Sequence, residues 1–516
     1  MKTAALHNLG CKVNAYETEA MQQALEAAGY EIVSFREAAD VYVINTCSVT
    51  NMADRKSGQM LRRARANNKD SIVIAVGCYV QTDHERIKAD TGADILIGND
   101  KKGELVSLLN DYLAKRAGRS NPTMNDIETN DTGSSITEIV GGTRRGMTAA
   151  ALESRMEMAD CAEYENLTIE KSGLHTRAFV KIQDGCNQFC SYCIIPYARG
   201  RVRSRHPNDI LAEIRNLSDS GCKEVVLTGI HLSSYGQNIS PSSEEPEIEQ
   251  PVKAGVPFLS YGQNISSPSE EPDVEQPLKA VFSQQGEESP PHPLLLLIQQ
   301  IHEIKGISRI RLGSLEPSVI TETFAEGIAA LPKLCPHFHL SLQSGCDATL
   351  ARMNRKYTTA EYAKACELLR RFYEHPALTT DVIVGFPGES EQEFETTRRF
   401  AQAMGFFEVH VFKFSPRKGT KAETLPDQSS EPIKKERSRK LMADTKLAKA
   451  EFLSWYQGKE VEVLTEEFVS VGEQTYLSGH STAYALVYLS PKEHKVNELT
   501  VKCIKHIWSE GILLGE

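Results

Sequence analysis

The sequence is poor in several things, and each shortage excludes a class of protein. Aromatic residues are 7% of the 516, with two tryptophans, and Met1-Lys2-Thr3-Ala4-Ala5-Leu6-His7 lacks the apolar core of a secretory signal. No apolar run reaches the ~18 residues of a membrane-spanning helix, so no membrane partner is expected. Basic charge is short too: the net charge of −11 argues against a general nucleic-acid coat. That deficit is mostly local, because residues 240–289 hold ten acidic and two basic side chains, a net of −8 that leaves −3 elsewhere. Twelve cysteines are too few for a disulfide scaffold and read, in a cytoplasmic chain, as metal ligands and inert thiols. A hydrophobic fraction of 40% and a charged fraction of 25% describe a globular protein, long enough for about three domains.

What is present is organised around one stretch, Lys181-Ile182-Gln183-Asp184-Gly185-Cys186-Asn187-Gln188-Phe189-Cys190-Ser191-Tyr192-Cys193. Loop cysteines this close can wrap one iron–sulfur cubane, and three thiolates on four irons leave one iron open. A structural zinc site would want a fourth nearby ligand, which does not follow. A zinc knuckle or unconnected thiols remain the plainer alternatives.

The first hundred residues alternate apolar runs with helical patterns. Runs at Thr3 to Leu9, Val41 to Ile44 and Ile72 to Val76 each end at a cysteine: Cys11, Cys47 and Cys78. Those cysteines lie one βαβ unit apart, and in an open parallel sheet the carboxyl ends of strands share one edge. The three can thus converge on a second open-iron cluster, although each alone is an ordinary thiol. Between them a basic helix, Asp54 to Asn67, carries Arg55, Lys56, Arg62, Arg63 and Arg65.

Residues 116–171 read as a linker with one helix, in which Cys161 is incidental. From 172 to 447 strands and helices alternate as in a partial or full parallel βα barrel, whose chemistry gathers at the carboxyl strand ends. Gly229, Ser314, Glu316, Gln343 and Asp381 are the candidates at those ends. Arg199, Arg201, Arg203 and Arg205 alternate, so in a strand they would share a face, either as a solvated edge or as a clamp for phosphate or carboxylate. Tyr235-Gly236-Gln237-Asn238-Ile239-Ser240 returns 26 residues later, at Tyr261, within a Pro-, Ser- and Glu-rich insert of about 237–291. Two copies are too few for a solenoid, and the segment reads as a disordered spacer. A basic run spans Lys434 to Lys440, and 448–516 shows the short alternating strands of a small β-barrel.

The Cys186–Cys190–Cys193 spacing resembles that of the radical S-adenosylmethionine enzymes. Leu9-Gly10-Cys11-Lys12-Val13-Asn14, Asn45-Thr46-Cys47 and Gly77-Cys78-Tyr79 resemble the cysteine motifs of the methylthiotransferases. The form Gly-Cys-Lys-Val-Asn-Ala-Tyr-Glu-Thr-Glu is similar to the branch acting on threonylcarbamoyladenosine in tRNA, and Gly479-His480-Ser481-Thr482-Ala483-Tyr484 resembles the TRAM module, a small RNA-binding barrel.

The resemblance implies an N-terminal open α/β domain (1–115), a radical S-adenosylmethionine barrel (172–447) and a TRAM-like barrel. It implies two 4Fe-4S clusters, a catalytic one on Cys186, Cys190 and Cys193 and a sulfur-delivering one on Cys11, Cys47 and Cys78. Tyr192 would pack on the cofactor's adenine, with core packing as its rival role. S-adenosylmethionine, tRNA, a flavodoxin- or ferredoxin-like electron donor and a sulfur source are the implied partners. The arginine run tips toward the clamp, and the basic helix from Asp54 to Asn67 and the Lys434 run are candidates for the RNA backbone. Neighbouring readings are action on isopentenyladenosine or on a ribosomal-protein aspartate, or an RNA-binding scaffold whose clusters do not turn over.

Overall fold

A computed structural model describes residues 2–118, 137–139, 164–170, 176–239, 290–508 and 512–515. Cys161, the loops around 119–136 and nearly all of the duplicated insert lie outside these residues.

The first unit is β1 (Lys2–Asn8), α1 (Lys12–Ala27), β2 (Tyr30–Ile32), β3 (Val41–Thr46), α2 (Asn51–Asn67), β4 (Ile72–Gly77), α3 (Cys78–Thr91), β5 (Ile95–Ile97), α4 (Leu105–Gly118) and β6 (Thr137–Ile139). All pairs are parallel, in the order β2-β1-β3-β4-β5-β6. β3 and β4 are buried at every residue because helices cover both faces, which is why they read as unbroken apolar runs. The strand order reverses between β1 and β3, the place where open α/β sheets bind ligands. The stretch expected as a linker is partly structural. It supplies β6, and Leu167 and Ile169 are buried in the core of the next unit.

The second unit holds β7 (Arg177–Lys181), the short pair β8 (Gln183–Asp184) and β9 (Arg203–Ser204), α5 (Ile195–Arg199), α6 (Pro207–Asp219), β10 (Glu224–Thr228) and α7 (Pro293–His302). It continues with β11 (Arg309–Leu312), β12 (Ser314–Leu315), α8 (Glu322–Ala329), β13 (His337–Leu340), α9 (Asp347–Arg352), α10 (Thr359–Phe372), β14 (Ala377–Val384), α11 (Glu391–Met404) and β15 (Glu408–Lys413). Parallel pairing runs β7-β10-β11 and β12-β13-β14-β15, interrupted at Gly313. The result is a six-position partial barrel whose free edges are β7 and β15. α1 packs beside β7, with Tyr16 and Ala20 in the barrel's own core.

α12 (Glu431–Ser454) runs without a break through residue 448, where the composition changes. Its last turn, Phe452 and Leu453, belongs to the core of the closing barrel, so the change of unit falls after the helix. That barrel closes as β16 (Glu460–Val471), β17 (Gln474–Ser481), β18 (Leu486–Leu489), β20 (Leu513–Gly515) and β19 (Leu499–Ile507). It seals the amino-terminal mouth of the partial barrel. Arg309 donates to the carbonyls of His480 (2.9 Å) and Glu462 (3.0 Å), and Arg311 to those of Thr482 and Ser481 (both 2.7 Å). Tyr484 enters that mouth, stacked between His337 (4.9 Å) and His480 (4.6 Å) under the guanidinium groups of Arg177 and Arg311 (5.1 and 4.9 Å). Among the described residues no helix is long and apolar enough to cross a membrane.

Three basic stretches differ from expectation. The 199–205 run is not one strand: Arg199 ends α5, Gly200 turns the chain at φ +76°, and β9 is only two residues long. Arg199 and Arg205 are buried on internal carboxylates, the latter on Glu213, so they clamp the protein itself. Arg65 is committed to Asp94. Lys434 and Arg437 are buried, and Arg437 pairs with Glu389 at 2.7 Å, so α12 offers no continuous basic face.

Candidate active site

Cys11 caps α1, Cys47 follows β3 and Cys78 opens α3, so all three stand at one sheet edge beside the strand-order reversal. Their loops touch. Gly10, at φ +110°, lies so close that a Cβ there would come within 2.9 Å of the Cys47 Cβ. Asn14 donates to the carbonyls of Leu9 (2.7 Å) and Thr46 (3.1 Å), and Asn45 donates to that of Asn14 (3.0 Å), tying the start of α1 to both strand ends. Asn99 donates to the Cys78 sulfur at 3.6 Å and to the Ala198 carbonyl at 2.7 Å. Burial, reinforced by the other two sulfurs, pushes the Cys47 thiol up to about 12.

The second trio is held by a loop with little freedom. Gly185 sits at φ +71° with the Arg201 carbonyl oxygen only 1.8 Å from where a Cβ would lie. Gln183 donates to the carbonyls of Asp184 and Gly185 (both 2.7 Å), and Asn354 donates to that of Phe189, itself at φ +47° (2.9 Å). Two donors aim at sulfur: the Gln188 backbone N–H at Cys186 (3.5 Å) and Arg355 Nη1 at Cys190 (3.2 Å). Such N–H···S bonds tune iron–sulfur centres. Burial pushes the free thiols of Cys186 and Cys193 up to about 11 and 12, so bound metal is what would hold them ionised.

Among the described residues, neither trio draws its sulfurs within 4.8 Å of one another. One tetrahedral zinc with ~2.3 Å bonds would bring them to about 3.8 Å, whereas a cubane spans more. The donor set, three thiols in each group, fits two iron–sulfur clusters with three cysteines each.

The strand-end candidates separate into groups. Glu316 reaches the cluster loop, accepting from Gln188 Nε2 (3.2 Å) and meeting His231 Nε2 (3.0 Å) and Arg355 Nη2 (2.8 Å). Burial alone would raise its carboxyl, but His231 and Arg355 hold it below the usual range. Gly229 leaves room for Gln183, whose Oε1 lies 2.9 Å from a Cβ position there. Gln343, at φ +68°, donates its N–H to the Asp381 carbonyl (2.8 Å) and shapes backbone. Ser314 and Asp381 stand on β12 and β14, in register with His339 and His410. Tyr192 packs edge-on against Phe386 at 6.4 Å in a small apolar cluster. Arg355, His231 and Asn99 were not singled out from the sequence, where no local pattern marks them, whereas Gln188 stood inside the Cys186–Cys193 motif. Asn14 stood inside the Gly-Cys-Lys-Val-Asn motif and was available.

One buried network joins the two trios. Glu17 of α1 meets Lys102 (2.6 Å), Lys181 (2.9 Å) and Arg199 (2.8 Å), while Arg199 also meets Asp184 (3.1 Å) and donates to Asn14 Oδ1 (2.7 Å). Burial works to raise Glu17, but Arg199, Lys102 and Lys181 together hold it well below the carboxylate range. Lys181, Asp184 and Arg199 belong to the segment around the second trio, and Asn14 and Glu17 to the helix that starts at the first. The two loops are therefore fixed to one another through ion pairs.

Two family models match the chain: the one described as "Uncharacterized protein family UPF0004" over residues 3–98, and the "Radical SAM superfamily" over 180–249 and 270–401. The threonylcarbamoyladenosine tRNA methylthiotransferase MtaB of Bacillus subtilis is 34% identical over 99% of this chain and 96% of its own. The tRNA-2-methylthio-N(6)-dimethylallyladenosine synthase of Moorella thermoacetica is 31% identical over 94% of this chain and 92% of its own. Among solved structures, the radical S-adenosylmethionine methyltransferase TsrM of Kitasatospora setae superposes with a TM-score of 0.51 at 13% identity, covering 82% of this chain and 77% of that one. That likeness concerns the fold.

Proposed function

The chain belongs to the radical S-adenosylmethionine methylthiotransferase family, and from that premise we propose that it adds a methylthio group to C2 of threonylcarbamoyladenosine beside the anticodon of tRNA. The observation that carries the reading is the pairing of two cysteine trios, each at the carboxyl end of a parallel sheet and joined through Arg199. Cys186, Cys190 and Cys193 would hold one 4Fe-4S cluster, and Cys11, Cys47 and Cys78 the other. When bound, the first supplies the electron that cleaves S-adenosylmethionine to a 5′-deoxyadenosyl radical, and the second supplies sulfur.

The chain's own residues position and shield. Glu316, held ionised by His231 and Arg355, is the acceptor beside the open side of the cluster loop, suited to the cofactor's ammonium group. The closing barrel, with Tyr484 in the far mouth, excludes water from the lumen where a carbon radical must survive. Arg55, Lys56, Arg62 and Arg63 are exposed on α2, whose first turn docks on Ser415, Pro416 and Arg417 at the barrel rim. That face suits the phosphates of an RNA entering from the carboxyl side. An external one-electron donor and a sulfur source complete the cycle, and a cytoplasmic setting follows from the tRNA substrate.

The test is a comparison of cysteine variants after anaerobic reconstitution. Cys11→Ala, Cys47→Ala or Cys78→Ala is expected to abolish methylthiolation while 5′-deoxyadenosine is still released; Cys186→Ala abolishes both. Mass spectrometry of nucleosides reads the first and chromatography the second. Equal loss of cleavage in both sets would refute the division of labour.

A further inference from the structure

The lumen carries a polar row that the cluster chemistry leaves unused. Ser314, His339 and Thr379 are register partners across β12, β13 and β14, and Asp381 partners His410 across β14 and β15. The two-residue period of a strand puts all five on one face. The free ring and carboxylate atoms of His339, Asp381 and His410 lie within 4.8 Å of one another. His339 Nδ1 is anchored on Thr379 Oγ1 at 3.0 Å, which directs Nε2 at Asp381 Oδ2, 3.4 Å away, where it completes no hydrogen bond. His410 stacks on His339 with ring centres 6.0 Å apart and is itself exposed to the lumen.

Lys12 faces the same space from α1. It follows Cys11 directly, is exposed, and forms no ion pair or hydrogen bond with a described residue. His337 feels its charge, and Asp381, Arg177 and Arg311 lie within electrostatic reach of its ammonium. Those two arginines are already committed to Glu224, whereas Lys12 is not.

We propose that Lys12, His339, Asp381 and His410 form the subsite for the carboxylate-bearing N6 substituent of the substrate nucleoside. The proposal rests on the function given above and deepens it by naming what reads the modification. A threonylcarbamoyl group offers a carboxylate, a ureido carbonyl and hydroxyl, and N–H donors. The Lys12 ammonium pairs with the carboxylate, imidazole N–H groups donate to the oxygens, and Asp381 accepts from the N–H or O–H groups. A dimethylallyl group offers none of these and would leave four polar groups desolvated and unpaired. Sites built on hydrogen bonds reject such analogues far more strongly than apolar pockets reject a polar one. Residues Lys12 and Cys11 are neighbours in the chain, so the same loop that would present sulfur also holds the reading group.

The test uses the reconstituted full chain and synthetic anticodon stem-loops bearing threonylcarbamoyladenosine, its methyl ester, or dimethylallyladenosine. The wild type is expected to prefer the acid over the ester by about tenfold or more in kcat/KM, the weight of one ion pair in a shielded site. Lys12→Met should raise KM for the acid by a similar factor, with kcat changed much less, and erase the acid–ester preference; Lys12→Arg should restore part of it. His410→Phe should weaken discrimination against the dimethylallyl substrate. Equal use of acid and ester by the wild type, with methylthiolation intact, overturns this subsite alone. Exclusive use of the dimethylallyl substrate overturns the proposed function with it. Stoichiometric, micromolar Zn²⁺ binding that His410→Phe abolishes would make the trio a metal site and also overturn the proposal.

Discussion

Glu224 shows how much one carboxylate can hold together. Burial alone would raise it, but Arg311 and Arg177 pull it down to about 2 from 4.5, and the same arginines reach into the closing barrel. Because the folded value is depressed, its contribution of about 3 kcal/mol is present in full above the unfolded value and is lost as pH falls toward the folded one. Between about pH 4.5 and 2 the wild type should therefore lose urea resistance that a Glu224→Gln variant never had. That variant should also be weaker at neutral pH, by about 3–5 kcal/mol, since it leaves buried guanidinium groups unpaired; urea midpoints at pH 7 and at about pH 3.5 check both. At this scale the sequence was legible only where chemistry clusters locally. The six cysteines proposed as ligands stood out by spacing or by recurrence at strand ends. Arg355, 165 residues from Cys190, carries no such mark, and Lys12 stood inside the Gly-Cys-Lys-Val-Asn motif with nothing local to show what it faces.

Whole elements were easier to read than their ends. β3 and β4 announced themselves as apolar runs because both faces are covered, and the closing barrel by its alternation. The arginine run misled because alternation implies a strand only if the chain stays extended, and Gly200 turns it at φ +76°. Its true partner, Glu17, is 182 residues away, beyond the reach of any periodicity. The cluster loop is the least forgiving element. A Cβ at Gly185 would collide with the Arg201 carbonyl and force a left-handed conformation on an L side chain. Gly185→Ala is expected to lower bound iron from about eight per chain toward about four, the first trio being spared, with loss of S-adenosylmethionine cleavage. Iron assay and electron paramagnetic resonance measure this.

Across the molecule, three units share two seals: the Glu17 network between the clusters, and Tyr484 in the opposite mouth of the barrel. Opening the second should admit water without touching either cluster. Tyr484→Ala is expected to raise 5′-deoxyadenosine released per methylthiolated product by about twofold or more, iron content being unchanged. The first seal also has a history in time. Among the described residues of its own domain Glu17 pairs with Lys102; Lys181 and Arg199 come from residues 164 and 182 positions later. At ~5–20 residues per second, a ribosome needs about 10–40 s to deliver them. Through that interval the nascent N-terminal unit carries an under-compensated carboxylate. Lys181 and Arg199 have to be synthesised before the charge of Glu17 is fully compensated, so a late segment of the chain completes an ion-pair network begun by one buried residue near its start.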